Sequence, residues 1–315
     1  MVDLSVKIGA LTLPNPVMPG SGTFSAEFSR VIDLNRLGAL VSKTVSRNYR
    51  AGNPPPRVSE VQGGMINSIG LPTKGLKYFL DVQLPEYKQF KPPLVCSITA
   101  ENIEDFADMA RDVSVPGVDA IEINISCPTR QPGGGNFALN EEHTYKVVKL
   151  CRAATEKPLW AKLSPNAGDI MSVAEAAEKA GADALTVSNT LLGLKINTDT
   201  FLSHIGNGYG GLSGPGIKPI IVRMVNECSR AVKIPIIGVG GIMAVEDVVE
   251  YMLAGATAVQ IGFLSFRNPT GMIAIIDGLE QWCRKKEIAR VSQLTGAMKA
   301  HPPRDTYEAG MIGIS

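Results

Sequence analysis

Eight times along this chain a short apolar run is followed by a helix-like run, and that alternation limits the fold more than any other feature. The apolar runs at residues 17–19, 39–44, 94–99 and 120–126 precede helical patterns at 26–34, 74–83, 103–114 and 141–155. Those at 159–164, 184–189, 235–240 and 258–262 precede patterns at 170–180, 216–232, 244–254 and 270–286. Strands separated by helices pair in parallel, because each helix carries the chain back to the starting edge of the sheet. Eight such units in 315 residues predict an α/β fold, a closed (β/α)8 TIM barrel, over an open sheet. Gly181 and Gly255 follow helical patterns, where a left-handed residue ends a helix. Residues 5–8 and 11–13, around Gly9 and Ala10, predict a small hairpin over one end of the barrel.

No linker or charge block interrupts the rhythm, so residues 1–315 read as one catalytic domain; the tail 300–315, with Pro302 and Pro303, falls outside the repeat and takes no role. A formal charge of +1 with no basic run offers no field for nucleic acid. No apolar run reaches membrane-spanning length and the N-terminus lacks a signal pattern, which predicts a cytoplasmic protein with no membrane partner. The five cysteines, Cys96, Cys127, Cys151, Cys228 and Cys283, are odd in number and far apart, which argues for a reducing compartment and against a disulfide framework or a cluster. His143, His204 and His301 are scattered, and no metal site is expected.

In a parallel barrel the strand ends build the active site. Two connections after strands, 45–73 and 190–213, are too long to be plain links and are read as active-site loops. Gly206-Asn-Gly-Tyr-Gly-Gly211 matches a dinucleotide fingerprint by letter, but it neither follows a strand directly nor opens a helix, and is read as a barrel loop. The fourth unit carries an amide and a thiol, Asn124 and Cys127, followed by a glycine- and proline-rich stretch, 129–136, that suits a mobile cover. The other polar strand ends are Ser21, Lys43 and Thr44, Ser97, Lys162, and Ser188, Asn189 and Thr190. The last two strands end in glycine, at Gly240, Gly241 and Gly262, where bare backbone can approach a phosphate. Lysine inside an apolar strand is costly unless an anion meets it. Two such lysines, a phosphate cradle and several amides suit a flavin mononucleotide. They equally suit a flavin-free phosphate-binding lyase or isomerase that uses Lys43 or Lys162.

Several motifs, taken in order, resemble the class 1 dihydroorotate dehydrogenases, most of all the 1B catalytic subunit. They are Gly52-Asn-Pro-Pro-Pro-Arg57, Asn67-Ser-Ile-Gly-Leu71, Asn124-Ile-Ser-Cys127-Pro and Lys162-Leu-Ser-Pro-Asn166, then Ser188-Asn-Thr190, Gly211-Leu-Ser-Gly214 and Ile237-Gly-Val-Gly-Gly241. The resemblance implies an FMN-bearing barrel that oxidises dihydroorotate to orotate in pyrimidine biosynthesis, an oxidoreductase acting on a CH–CH bond. It implies that Cys127 is the base removing the C5 proton, with hydride passing from C6 to flavin N5. Asn67, Asn124 and Asn189, with Thr190, would hold the pyrimidine ring, and Lys43 with Ser68, Ile69, Gly70 and Leu71 its carboxylate. Ser21, Lys43, Thr44, Ser97, Asn124, Lys162, Ser188, Gly214, Gly240, Gly241, Gly262 and Phe263 match flavin-contacting positions. It further implies a homodimer and a separate iron–sulfur, FAD-bearing subunit that passes electrons to NAD; the 1A alternative reduces fumarate directly. At Thr73, Ser97 and Thr129 this chain has hydroxyls where the family usually has asparagine. A related flavin barrel acts on uncharged dihydropyrimidines, but Lys43 and the 67–71 segment, which meet a carboxylate, favour dihydroorotate.

Overall fold

A computed structural model describes residues 2–127 and 136–300. Eight parallel strands are present: β1 Val17–Pro19, β2 Leu40–Val41, β3 Leu94–Ile98, β4 Ala120–Asn124, β5 Leu159–Lys162, β6 Ala184–Val187, β7 Ile236–Val239 and β8 Ala258–Ile261. They form one sheet in the order β1-β8-β7-β6-β5-β4-β3-β2, so that its first and last strands are consecutive in the chain. The sheet curls until these two meet. Gly38, just ahead of β2, donates its N–H to Val17 O at 2.8 Å and closes the ring. Asn15 pins the seam, its Nδ2 donating to Arg36 O at 2.8 Å and its Oδ1 accepting from Val17 N at 3.0 Å. The result is the (β/α)8 barrel that the alternation predicts, and the chains of apolar residues in β3, β4, β5, β6 and β8 are buried along their whole length because helices cover the outside.

Six of the eight helical segments fall where the pattern puts them, among them Ile103–Asp112, Glu141–Ala154 and Gly271–Lys285. Asn102 and Asn140 cap the first two, accepting from Asp105 N and His143 N. The first two units depart. Instead of one helix over 26–34 there are two short 3-10 turns, Ala26–Arg30 and Leu34–Arg36. The β-branched pair Val31–Ile32 disfavours helix, and Asp33 spends its carboxylate on Asn35 N, a local bond that competes with a continuing helix. In the second unit the helix runs past residue 83 to Tyr87, with a wider turn over Phe79–Gln83. Pro85 has no N–H to give and its ring crowds the carbonyl four residues back, so the preceding turn opens rather than breaks.

The N-terminal hairpin pairs Val6–Ile8 with Leu11–Leu13. Its turn lies against the start of β6, where a Cβ on Gly9 would sit 3.4 Å from Asp183 Cβ. It therefore closes the bottom of the barrel, opposite the strand ends that carry the polar residues. The two long connections are not structureless loops. Val58–Val61 and Gly64–Asn67 from the first, with Leu191–Gly193 and Gly210–Ser213 from the second, form a four-stranded antiparallel sheet. Gly211 pairs with Asn67 and Ser213 with Met65, which stitches the two connections together beside the barrel mouth.

The seam gives a first prediction. A Cβ on Gly38 would lie 2.2 Å from Asn15 O, against rigid backbone. Gly38→Ala should lower stability by about 2 kcal/mol, read as a lower urea midpoint with unchanged slope; an unshifted midpoint would show that the seam is slack.

Candidate active site

The strand ends open into a cleft of about 440 Å³, within the range of small-molecule sites. The structure brings most of the predicted residues to it from elements far apart in sequence. Ser21 arrives after β1, Lys43 and Thr44 after β2, Asn124 and Cys127 at the end of β4, and Lys162 at the end of β5. Ser188, Asn189 and Thr190 follow β6, Gly240 and Gly241 follow β7, and Gly262 and Phe263 follow β8. The outer sheet and its flank add Asn67, Ile69, Gly70 and Leu71.

Three predicted residues do not line it. Ser97 is fully buried behind Thr44, its Oγ 3.0 Å from Thr44 Oγ1. Ser68 is fully buried as well, and its hydroxyl accepts from Asn53 Nδ2 at 2.7 Å. Gly214 lies one layer back, its carbonyl 2.8 Å from where a Cβ on Gly241 would stand. Each supports a wall rather than forming it. Thr73 likewise faces its own turn, its Oγ1 accepting from Gly75 N at 3.1 Å. The proposed cover, 129–136, and Thr129 with it, lies outside the described residues except for Asn136.

Two polar networks shape the cleft. In one, Asn124 Nδ2 donates to Thr44 Oγ1 at 3.2 Å, while Asn124 Oδ1 accepts from Ser126 Oγ at 3.3 Å and Asn189 Nδ2 at 3.4 Å. Asn189 also donates to Ser126 Oγ at 3.1 Å, and its Oδ1 accepts from Thr190 N at 2.8 Å. These bonds fix which way both amides turn, as a site that reads a planar ring requires. Cys127, three residues beyond Asn124, is only 7% exposed and opens into the same cleft. In the other network Lys162 Nζ donates to Ser21 Oγ at 3.2 Å and to Gln260 Oε1 at 3.3 Å, with Glu122 beneath it. A buried ammonium is thereby held at the cleft wall.

The backbone is shaped too. Gly70 and Leu71 both take positive φ, 77° and 54°; the glycine does so freely, whereas the non-glycine Leu71 is strained in the way that clusters at ligand clamps. Asn53 holds the bend through Ser68 and by donating its N–H to Ile69 O at 3.1 Å. Gly240 and Gly241 take φ of 148° and 69°, and Tyr251 Oη donates to Gly240 O at 2.6 Å. Here and at Gly262 the wall is bare backbone.

Sequence reasoning missed Ser213, Glu122 and Gln260. Ser213 lines the cleft with a buried Oγ that has no hydrogen-bond partner among the described residues, an acceptor and donor left for a ligand. Its position in a strand of the outer sheet, unforeseen from the sequence, is why it was passed over. Among the described residues no group of His, Cys, Asp or Glu is placed to hold a metal ion, and no helix is long and apolar enough to cross a membrane. The Gly206–Gly211 segment leads into an antiparallel strand, not directly into a helix N-terminus, so the glycines are not placed to hold a pyrophosphate there.

A family model described as dihydroorotate dehydrogenase matches residues 3–282. The chain belongs to the dihydroorotate dehydrogenase family. It is 45% identical over 300 residues to "Dihydroorotate dehydrogenase B (NAD(+)), catalytic subunit" of Thermoanaerobacter pseudethanolicus, covering 95% of this chain and 99% of that protein. Proteins of the same name from Trichlorobacter lovleyi and Geobacter sulfurreducens are 46% and 44% identical, over 299 and 300 residues, each covering 94% of this chain and 98% of the relative. Membership makes the chain a flavin-dependent oxidoreductase acting on a CH–CH bond in pyrimidine biosynthesis, and sets aside the lyase and isomerase readings that the strand lysines left open. The cleft fits a flavin on its own terms: it has the room, a buried ammonium on its wall, a serine hydroxyl with no partner among the described residues, and bare backbone at Gly240, Gly241 and Gly262.

Lys43 gives the pH prediction. Burial first, and then the charge of Arg57, hold its ammonium below the ordinary lysine value of 10.5. A bound carboxylate favours the charged form, so affinity is full below the depressed pKa and is lost as pH rises through it. Orotate binding titrated from about pH 7 to about pH 10 should weaken before pH 10.5 is approached. Lys43→Met should bind weakly and lack this limb; the same fall in the variant would show that another group titrates.

Proposed function

We propose that the chain is the FMN-bearing catalytic subunit of an NAD-linked dihydroorotate dehydrogenase, oxidising dihydroorotate to orotate. The observation that carries this reading is the convergence, in one cleft, of a thiol, three asparagines and two lysines delivered by separate strands and loops. FMN, when bound, supplies the acceptor for the hydride that leaves C6. Lys43 meets the substrate carboxylate, with the Ile69–Gly70–Leu71 backbone, strained at Leu71, beside it. Asn67, Asn124, Asn189 and Thr190 hold the ring amides, and the fixed orientation of Asn124 and Asn189 favours one register of the ring. Cys127 Sγ takes the C5 proton, and its near-complete burial keeps water from competing.

Lys162, with Ser21, would meet the flavin ring, Gly240, Gly241 and Gly262 would give its phosphate a wall of backbone, and Thr44, Ser188 and Phe263 would complete the flavin contacts. Ser97 and Gly214 act from behind, through Thr44 and Gly241. A separate subunit carrying FAD and an iron–sulfur cluster would receive the electrons. The relatives' printed name, a catalytic subunit of an NAD(+) enzyme, supports that exit route. The apolar side chains Leu194, Ile196, Leu202 and Phe201, the last 85% exposed, lie beside the outer sheet and supply a surface for pairing with a second copy, as a homodimer. Five cysteines without a disulfide suit the cytoplasm.

Purified protein should be yellow, and anaerobic dihydroorotate should bleach it while dihydrouracil and dihydrothymine do not. Cys127→Ala should keep the colour and slow bleaching about 10²- to 10⁴-fold near neutral pH. Bleaching by dihydrouracil alone would shift the reading to an uncharged dihydropyrimidine.

A further inference from the structure

One buried charge beneath the cleft has no part in the chemistry above. Glu122 lies on β4, two residues before Asn124, and is 0% exposed. Its Oε2 accepts from Gln260 Nε2 at 2.6 Å and from Thr186 Oγ1 at 3.2 Å. Its Oε1 has no hydrogen-bond partner among the described residues and faces Lys162 Nζ at 3.6 Å. Gln260, also fully buried, turns its carbonyl to the same ammonium, at 3.3 Å. Of these groups only Lys162 reaches the cleft. A carboxylate in a barrel interior is destabilising relative to apolar residues of the same volume, so packing alone gives no reason for it.

We infer that Glu122 and Gln260 are positioning residues that set the charge Lys162 presents to the flavin, and through it the flavin's reduction potential. The inference rests on the flavin reading of the cleft. An ammonium beside the ring favours the reduced form, which carries the added negative charge. A carboxylate 3.6 Å behind that ammonium offsets part of its pull. The offset matters because the same electrons must be taken from the substrate and then released to the next carrier; an unopposed lysine would hold them. Gln260 bonds to both partners, donating to the carboxylate and accepting from the ammonium, so it fixes the distance between them.

The test is the midpoint potential of the holoenzyme, measured by anaerobic titration against reference dyes. Glu122→Gln keeps the shape and removes the charge; it should raise the two-electron equilibrium constant for reduction at least tenfold, about 30 mV. Glu122→Met, which removes the charge together with its hydrogen bonds, should move the constant in the same direction as Glu122→Gln. Thr186→Val removes a hydrogen bond to Glu122 without altering charge and should change it less than twofold. Equal potentials in the wild type and Glu122→Gln would overturn the inference. So would Thr186→Val moving as far as Glu122→Gln, because packing would then be the cause. If Glu122→Gln alone loses its flavin, the direction shown by Glu122→Met decides; if both purify colourless, the network builds the site rather than tuning it and the inference fails. A colourless wild type would instead sink the flavin reading itself.

Discussion

Parallel pairing is the constraint on which the rest depends. Once each strand must point the same way, every C-terminal end arrives at one mouth, and closing the sheet at Gly38 and Val17 turns that edge into a ring. Residues as distant as Ser21, Cys127 and Gly262 then face one cleft without any local relation between them. The strands are buried on both faces, so their ends are rigid and the side chains they carry are fixed to the packing of the core.

The loops obey a second constraint, that backbone polar groups near a dry cleft need partners. The chain meets it by pairing two connections with each other, as Gly210–Ser213 bonds along Gly64–Asn67. That pairing places Asn67 beside Gly211, whose carbonyl accepts from Asn67 Nδ2 at 3.3 Å, and brings Ser213 to the cleft. The cleft is therefore walled partly by a sheet outside the barrel and partly by the barrel's own strand ends.

Charge inside the barrel follows the same economy of partners. Lys162 is tolerated because Ser21, Gln260 and Glu122 surround its head, whereas Lys43 has its pKa depressed by burial and by the like charge of Arg57. The two lysines looked alike as residues in apolar strands. Their surroundings separate them, because Lys162 is ringed by fixed partners on neighbouring strands while Lys43 sits half-buried near a like charge.

The strand–helix rhythm, the glycines at 240, 241 and 262, and the Asn124-to-Cys127 spacing were legible in the sequence because each is a local pattern: side-chain periodicity, missing side chains, and position at a strand end. Local patterns misled only where local chemistry competes with itself, at Val31–Asp33 and around Pro85. The outer sheet was not legible, since its strands are short and its two hairpins join each other only across more than a hundred residues. Nor was the burial of Ser68 and Ser97 behind the wall, or the meeting of Glu122, Gln260 and Lys162, which sit on three strands. The sequence determined which residues end the strands; tertiary structure alone decided what each of them faces, because that depends on which strands barrel closure makes neighbours.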